Sequence, residues 1–361
     1  MAAETKALSA YGGTAKPLYC VDLVKYICAL LVVAIHVPPL SSFSPVISDL
    51  LRNCLARAAV PFFFVCSGFF LFRKLSPSDS HSSVPLRYSG RILRLYAVWT
   101  VIYFPLELRQ NILTDDQGFL HGLLGWVRRC IFTGSYEHLW YLNALFFAVL
   151  LLTFCLRRGV KGRAMAAFGI CLYILGLSAQ TYTVFLAPMR NSETAWRLLK
   201  LVQKVILTTR NGLFEGFLFA GMGLFFARRP FTMDMRKARI GFLASLVLLI
   251  LEYLAVTGLG WAREYDLYIS LIPAVFFLFY LAAHTELKAS PVYGTLRSMS
   301  SLTYYLHLLI SPMVLRLLVF FDCFHSLAYY GLTVLLCAGV SIGLAALSRR
   351  PGLGWLKRLY Q

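Results

Sequence analysis

Apolar runs long enough to cross a bilayer recur along nearly the whole chain, and they constrain its fold more than any other feature. A hydrocarbon core about 30 Å thick takes roughly 20 apolar residues in a helix. Ten segments reach or approach that length: 18–40, 58–72, 93–108, 139–156, 164–187, 211–227, 240–258, 267–283, 302–320 and 327–347. The second, third and sixth are near the short limit. Of the 361 residues 59% are hydrophobic and 14% charged, whereas soluble domains carry about 25% charged residues. That excludes a soluble enzyme, a fibre and a disordered chain. The expected fold is all-α, a polytopic transmembrane helical bundle of about ten spans forming one domain over 1–361.

The 35 Lys and Arg against 16 Asp and Glu give a formal charge of +19. Such a balance could serve nucleic acid, a membrane surface or an anionic substrate, and placement decides. Short cytoplasmic loops collect Lys and Arg. One alternating set of connectors holds the N-terminal tail, Arg73-Lys74 to Arg94, Arg157-Arg158 to Arg163, Arg228-Arg229 to Arg239, Lys288 and Arg297, and Arg349-Arg350 to Arg358. It carries about 22 basic residues against about 11 in the other set. Both termini are therefore expected in the cytoplasm, with tails at 1–17 and 348–361 around a bundle at 18–347. Membrane lipids, not nucleic acid, are the expected partners of most of this surplus.

No cleavable leader is expected, because the first apolar segment is long enough to span and is followed by Val37-Pro38-Pro39. The longest outer connector, 109–138, should hold one interfacial helix at 118–130. The nine cysteines include no C-x-x-C pair, so neither zinc nor a redox motif is suggested. Cys54, Cys130 and Cys323 lie near the outer face, where pairing is one option. His81, His121, His284 and His325 have no second ligand at metal spacing, and no metal site is expected.

Ionisable side chains inside a span are costly and point to function. Asp22 and Lys25 stand near the cytoplasmic end of the first segment and His36 near its outer end. Eleven helical steps separate Lys25 from His36, about 16 Å, and return to within roughly 20° of the same direction. Both line one stripe, either facing one cavity from opposite ends or snorkelling to opposite headgroup layers. Arg57 enters the second segment at the level of His36. Pro61 should free carbonyls in mid-helix, and Ser67-Gly68 should allow close helix approach.

Asp22-x-x-Lys25 followed ten residues later by His36 resembles the opening of the bacterial acyltransferase family 3 proteins, integral membrane enzymes with an R/K-x10-H motif in the first span. Val60-Pro61 through Ser67-Gly68-Phe69 looks like the family's second-span signature. Arg91-Ile-Leu-Arg94 is similar to its cytoplasmic R-x-x-R, His138-Leu-Trp140-Tyr141-Leu142 to its Trp-Tyr-Leu entry, and Ser301-Leu-Thr-Tyr304-Tyr305-Leu-His307 to its late Tyr-x-x-His helix. The resemblance covers essentially the whole chain. Lys25 departs from the commoner Arg, keeping the charge but losing the bidentate fork. The extracytoplasmic hydrolase-like domain of some members is not expected here.

The resemblance implies a bacterial plasma-membrane enzyme that moves an acyl group, acetyl being the family's commonest, from cytoplasmic acyl-CoA to a hydroxyl of an envelope glycan or lipid-linked sugar. Lys25, Arg91 and Arg94 would receive the anionic CoA head, with Tyr304 and His307 as a wall of its tunnel; for His307 a hydrogen bond between helices is the alternative. His36 would act as general base, or as an acyl-carrying nucleophile. Asp22 would hold Lys25 through an ion pair. Arg57 would stabilise the oxyanion or hold the acceptor, an anchor to headgroups being the alternative. Glu215, Glu252, His138, Trp140 and Ser67 are candidates on the acceptor side. For the carboxylates the alternative is pairing with neighbours, for His138 an interfacial position, and for Trp140 and Tyr141 the aromatic belt. Pro312 should kink the ninth span, with Arg316 snorkelling outward. A secondary transporter and a non-catalytic binder of an acylated lipid or sugar are the rival classes. Oligomeric state is open, a homodimer being one option.

Overall fold

All ten apolar segments are helical in the computed structural model, which describes residues 17–75, 81–229 and 231–360 and contains no strand among them. The expected N-terminal tail, residue 17 apart, lies outside the described residues. The first helix, α1, is Tyr19–His36. Helix α2 (Pro45–Asn53) and a 3-10 turn (Leu55–Ala58) lead into α3 (Ala59–Phe72). Next come α4 (Val84–Glu107), α5 (Phe119–Phe132), α6 (Trp140–Arg157), α7 (Gly162–Ser178) and α8 (Glu193–Ile206). A π-turn (Gly212–Gly216) opens α9 (Phe217–Arg228), followed by α10 (Met235–Gly258), α11 (Leu271–His284), α12 (Val292–Phe320) and α13 (Ser326–Leu347).

By length and apolarity six of these runs can cross a membrane: α1, α2 with α3, α6, α10, α12 and α13. A seventh would join α7 to the 3-10 segment Thr183–Asn191, but the two are bent by 71°, so segment 164–187 is not one straight helix. The expected ten thus reduce to six or seven on this criterion. The physical reasons are local. Helix α4 is long enough but carries Arg87, Arg91 and Arg94 in its first half, while α9 and α11, of 12 and 14 residues, fall short of the roughly 20 a full crossing takes. Pro61 is in the first turn of α3, not in mid-helix, where its missing N–H leaves no bond unmade. Helix α12 runs on through Pro312. Helix α5 answers the interfacial helix expected at 118–130, and its Phe119, Leu120, Leu124 and Ile131 are exposed.

Helix α3 is the centre of the bundle: Phe62, Phe64, Phe69 and Phe72 are fully buried. It crosses α9 at backbone contact. A Cβ on Gly68 would sit 2.1 Å from the Ala220 carbonyl oxygen, and one on Gly223 2.2 Å from that of Val65. Small residues at helix crossings let dispersion replace a hydrophobic drive that lipid cannot supply. Gly223→Leu is accordingly expected to lower stability by about 3 kcal/mol, read as a lower unfolding temperature in detergent; an unchanged temperature would contradict the crossing. Helix α12 packs against α1 and α13, with the Tyr103 hydroxyl donating to the Tyr305 carbonyl at 2.6 Å. The packing of α12 on α1 sets Tyr304 and His307 beside the Lys25–His36 stripe, while the Tyr103 bond comes from α4.

Candidate functional site

Two cavities lie at opposite ends of that stripe. The first is a basic vestibule. Its inner part, about 320 Å³, is lined by Lys25, Ser67, Tyr88, Arg91, Tyr304 and Tyr305. Its mouth, about 700 Å³, gathers Lys25, Arg73, Lys74, Arg87, Arg91, Arg94 and Arg297 against the carboxylate of Asp22. Asp22 is 2% exposed and accepts from Arg297 Nε at 2.9 Å and Nη2 at 2.6 Å. The expected Asp22–Lys25 pair is therefore corrected: the planar fork of a guanidinium meets the two carboxylate oxygens with two parallel bonds, a match that a point-like ammonium lacks, and Lys25 is left to the cavity. Ser67 lines this vestibule, its Oγ lying 3.0 Å from the Tyr141 hydroxyl.

The second cavity, about 270 Å³, is a histidine chamber with His36, Arg57, Glu137, His138, Arg210 and Asp266 in its wall. His36 Nδ1 lies 3.5 Å from Glu137 Oε2. That bond holds the Glu137 carboxyl below its ordinary range, orients the ring and leaves Nε2 as the nitrogen for proton exchange. The His307 ring centre is 5.2 Å from that of His36 and 5.1 Å from that of His138. His307 Nδ1 donates to the Tyr304 carbonyl at 2.8 Å, so in the neutral ring its Nε2, which has no partner among the described residues, is an acceptor. His307 thus stands behind the chamber wall against His36 and His138, and lines neither cavity. The sequence reading began its helix at 302, whereas α12 starts at Val292 and places His307 in mid-helix. His138 is not interfacial: it is 1% exposed, and neither ring nitrogen has a partner among the described residues.

Arg57 stands in the 3-10 turn before α3, paired with Asp266 and bonded to Asn53 Oδ1 at 3.1 Å. Arg210 reaches the other Asp266 oxygen at 3.1 Å and lies 4.9 Å over the Trp140 ring. Local sequence holds it there: Asn211 caps the π-turn by accepting from the Leu213 and Phe214 amides, which pins its neighbour at the rim. Burial pushes the Asp266 carboxyl up, but the Arg210 and Arg57 guanidiniums outweigh it and hold the group below the usual carboxylate range. Glu215, 2% exposed, also lines the chamber, with Oε2 unpartnered among the described residues. Glu252 does not: it caps the start of α11, accepting from the Ile269 and Ser270 amides at 2.7 and 2.8 Å and from the Tyr182 hydroxyl at 2.5 Å.

Tyr304 lines both cavities, and its hydroxyl donates to the His138 carbonyl. With Phe63 and Tyr141, at 6.1 and 5.8 Å between ring centres, it makes an aromatic collar between vestibule and chamber. The structure therefore brings His36, Arg57, Glu215, His138, Trp140 and Tyr304 to the chamber, and Lys25, Arg91, Arg94, Ser67 and again Tyr304 to the vestibule. Sequence reasoning missed Arg210, Asp266 and Arg297. The first two directly precede apolar segments at the level of Arg57 and His36, a signal that grouping charges by depth would have caught. Cys54, Cys130 and Cys323 carry free thiols. No group of three metal-ligating side chains forms among the described residues.

A helical membrane scaffold with a basic vestibule leading to a histidine chamber agrees with what comparison finds. The chain belongs to acyltransferase family 3: that family's model, described as an acyltransferase domain, matches residues 18–346. It is a multi-pass membrane protein of that family. Among characterised proteins it is similar to a serine/alanine racemase of Enterococcus gallinarum, 30% identical over 263 residues, 72% of this chain and 36% of that one. It is also similar to an amino-acid racemase of Enterococcus faecalis, 29% identical over 243 residues, 66% of this chain and 32% of that one. The chain spans about a third of the length of each. No solved structure matches it.

Proposed function

We propose that this chain is an O-acyltransferase of the bacterial plasma membrane, taking an acyl group, acetyl in the simplest case, from cytoplasmic acyl-CoA to a hydroxyl of an envelope glycan or lipid-linked sugar. The observation that carries the reading is the collar at Tyr304, where a vestibule rich in cations ends against a chamber that holds a base. Seven cations at the mouth suit the phosphates of a nucleotide-like head. The narrow inner part suits a thin arm that delivers a thioester past Tyr304. In the chamber His36 Nε2 takes the proton of the acceptor hydroxyl, and the oxygen bonds to the acyl carbon. The carbon–sulfur bond then breaks, and His36 returns the proton to the departing thiolate. Arg57 faces the charge that develops on the carbonyl oxygen. The racemase activity named for the longer relatives is not carried over, because about two thirds of each lies beyond the matched length.

The donor half is tested with the purified protein and radiolabelled acetyl-CoA. Arg91→Gln with Arg94→Gln is expected to raise KM for acetyl-CoA by about tenfold or more, as loss of charged hydrogen bonds requires, with a smaller change in kcat. Unchanged binding in that variant would remove the vestibule from the donor site. Solute movement across vesicles with no acetyl-CoA binding would replace this reading with transport.

A further inference from the structure

A third cavity, of about 510 Å³, runs outside the site just described, between α6 and the 206–214 segment. Trp140, Ala144, Phe147, Leu151 and Phe154 form a stripe along one face of α6, about 21 Å long at 1.5 Å per residue. Phe147 and Phe154 are 44% and 54% exposed, so the groove is open on its flank where a spanning helix meets lipid. Its polar groups cluster at the Trp140 end. There Asn143 is bonded to the Ile131 carbonyl and Asn211 to the backbone amides of its own turn. Arg210 is the one charged side chain lining the groove among the described residues, and about a third of its side chain, 34%, stays open.

Arg210 and Trp140 line this groove and the histidine chamber alike. The two cavities adjoin at that pair. A chain of methylenes seated along α6 therefore brings its head group to the wall behind which His36 stands. We infer that the groove binds the acceptor as a lipid, with the hydrocarbon chain along α6, an anionic phosphate ester at Arg210 and the acceptor hydroxyl on the head group inside the chamber. This rests on the acyl-transfer reading above and gives its acceptor a chemical class. Arg210 donates to the phosphate through the half of its fork not engaged by Asp266. The apolar stripe contributes affinity that a water-soluble sugar could not draw on. A lipid-borne acceptor also explains why the groove reaches the chamber from the flank of the bundle and not from an aqueous face.

The test uses the full-length protein in nanodiscs and, as probe, a hexadecyl phosphate carrying a mid-chain diazirine. Crosslinks should map to Phe147–Phe154 and to Ile131–Phe132, and unlabelled hexadecyl phosphate should compete while hexadecanol does not. Leu150→Trp on one wall and Leu213→Trp on the other should each cut crosslinking by about tenfold; two variants on separate elements guard against one that misfolds. Crosslinks spread evenly over all lipid-facing helices, or uncompeted, would overturn the site. A second arm follows the label of radiolabelled acetyl-CoA in membranes. Label in the butanol-extractable lipid fraction supports the lipid acceptor. Label confined to a water-soluble product overturns it and leaves a structural lipid in the groove. No transferred label at all defeats the acyl-transfer reading and the acceptor role with it, while the crosslinks still report occupancy.

Discussion

His36→Ala is expected to lower acyl transfer from acetyl-CoA by about 10²- to 10⁴-fold, the range a positioned proton-transfer group supplies, with acetyl-CoA affinity little changed. Affinity should hold because the cations assigned to the donor lie at the far end of α1, around Lys25 and Arg91. The neighbours of His36 set the size of the effect. Glu137 orients the ring through Nδ1 at 3.5 Å, and the accepting Nε2 of His307 belongs to a ring whose centre is 5.2 Å away. Glu137→Gln should therefore cost less than His36→Ala, since the glutamine side-chain oxygen can still accept from Nδ1 and the base itself is kept. Turnover that persists undiminished in His36→Ala would end the assignment. A loss of acetyl-CoA binding equal to the loss of rate would mean that His36 holds the donor and does not move a proton.

The helices and the two-ended stripe were legible because both depend on local pattern. Apolar length marks the helices of the ten segments, though not α2 or α8, and a separation of eleven residues puts Lys25 and His36 on one face whatever surrounds them. Partners across the chain were not. Asp22 faces Lys25 one turn away in sequence, yet the bidentate match with Arg297, 275 residues on, prevails. Glu252 looked like an acceptor-side carboxylate in the outer half of an apolar segment; only the arrival of Ile269 and Ser270 shows it as a cap. His307 was misplaced by depth for a related reason. The polar start of α12, from Val292 to Ser301, has no apolar signal although it is helical, so the count from the membrane edge began ten residues late. Arg210 and Asp266 stand in connectors with no local signal of a shared site, and it is the fold that turns two connectors into one wall of the chamber.

Asp266→Asn is expected to destabilise the protein by about 3 kcal/mol, the lower part of the range for breaking a buried ion pair. Asp266 and Arg57 have side chains 10% and 14% exposed, and Arg210 shares the same carboxylate. An amide leaves two guanidiniums facing each other with little water to screen them. The coupling is measurable: Arg57→Gln in the Asp266→Asn background should cost less than in the wild type, with a shortfall of about 1 kcal/mol or more. The acid dependence follows from the depressed carboxyl. A group whose folded value is lowered contributes stability that is complete above its unfolded value, about 3.9 for Asp, and is lost as pH falls through the lower folded value. The difference in unfolding temperature between wild type and Asp266→Asn should therefore stay constant from neutral pH down to about pH 5 and shrink only below the ordinary Asp range. A difference that closes near pH 6 would show that the carboxylate is not held ionised by Arg57 and Arg210. The wall shared by the histidine chamber and the lipid groove would then need another support.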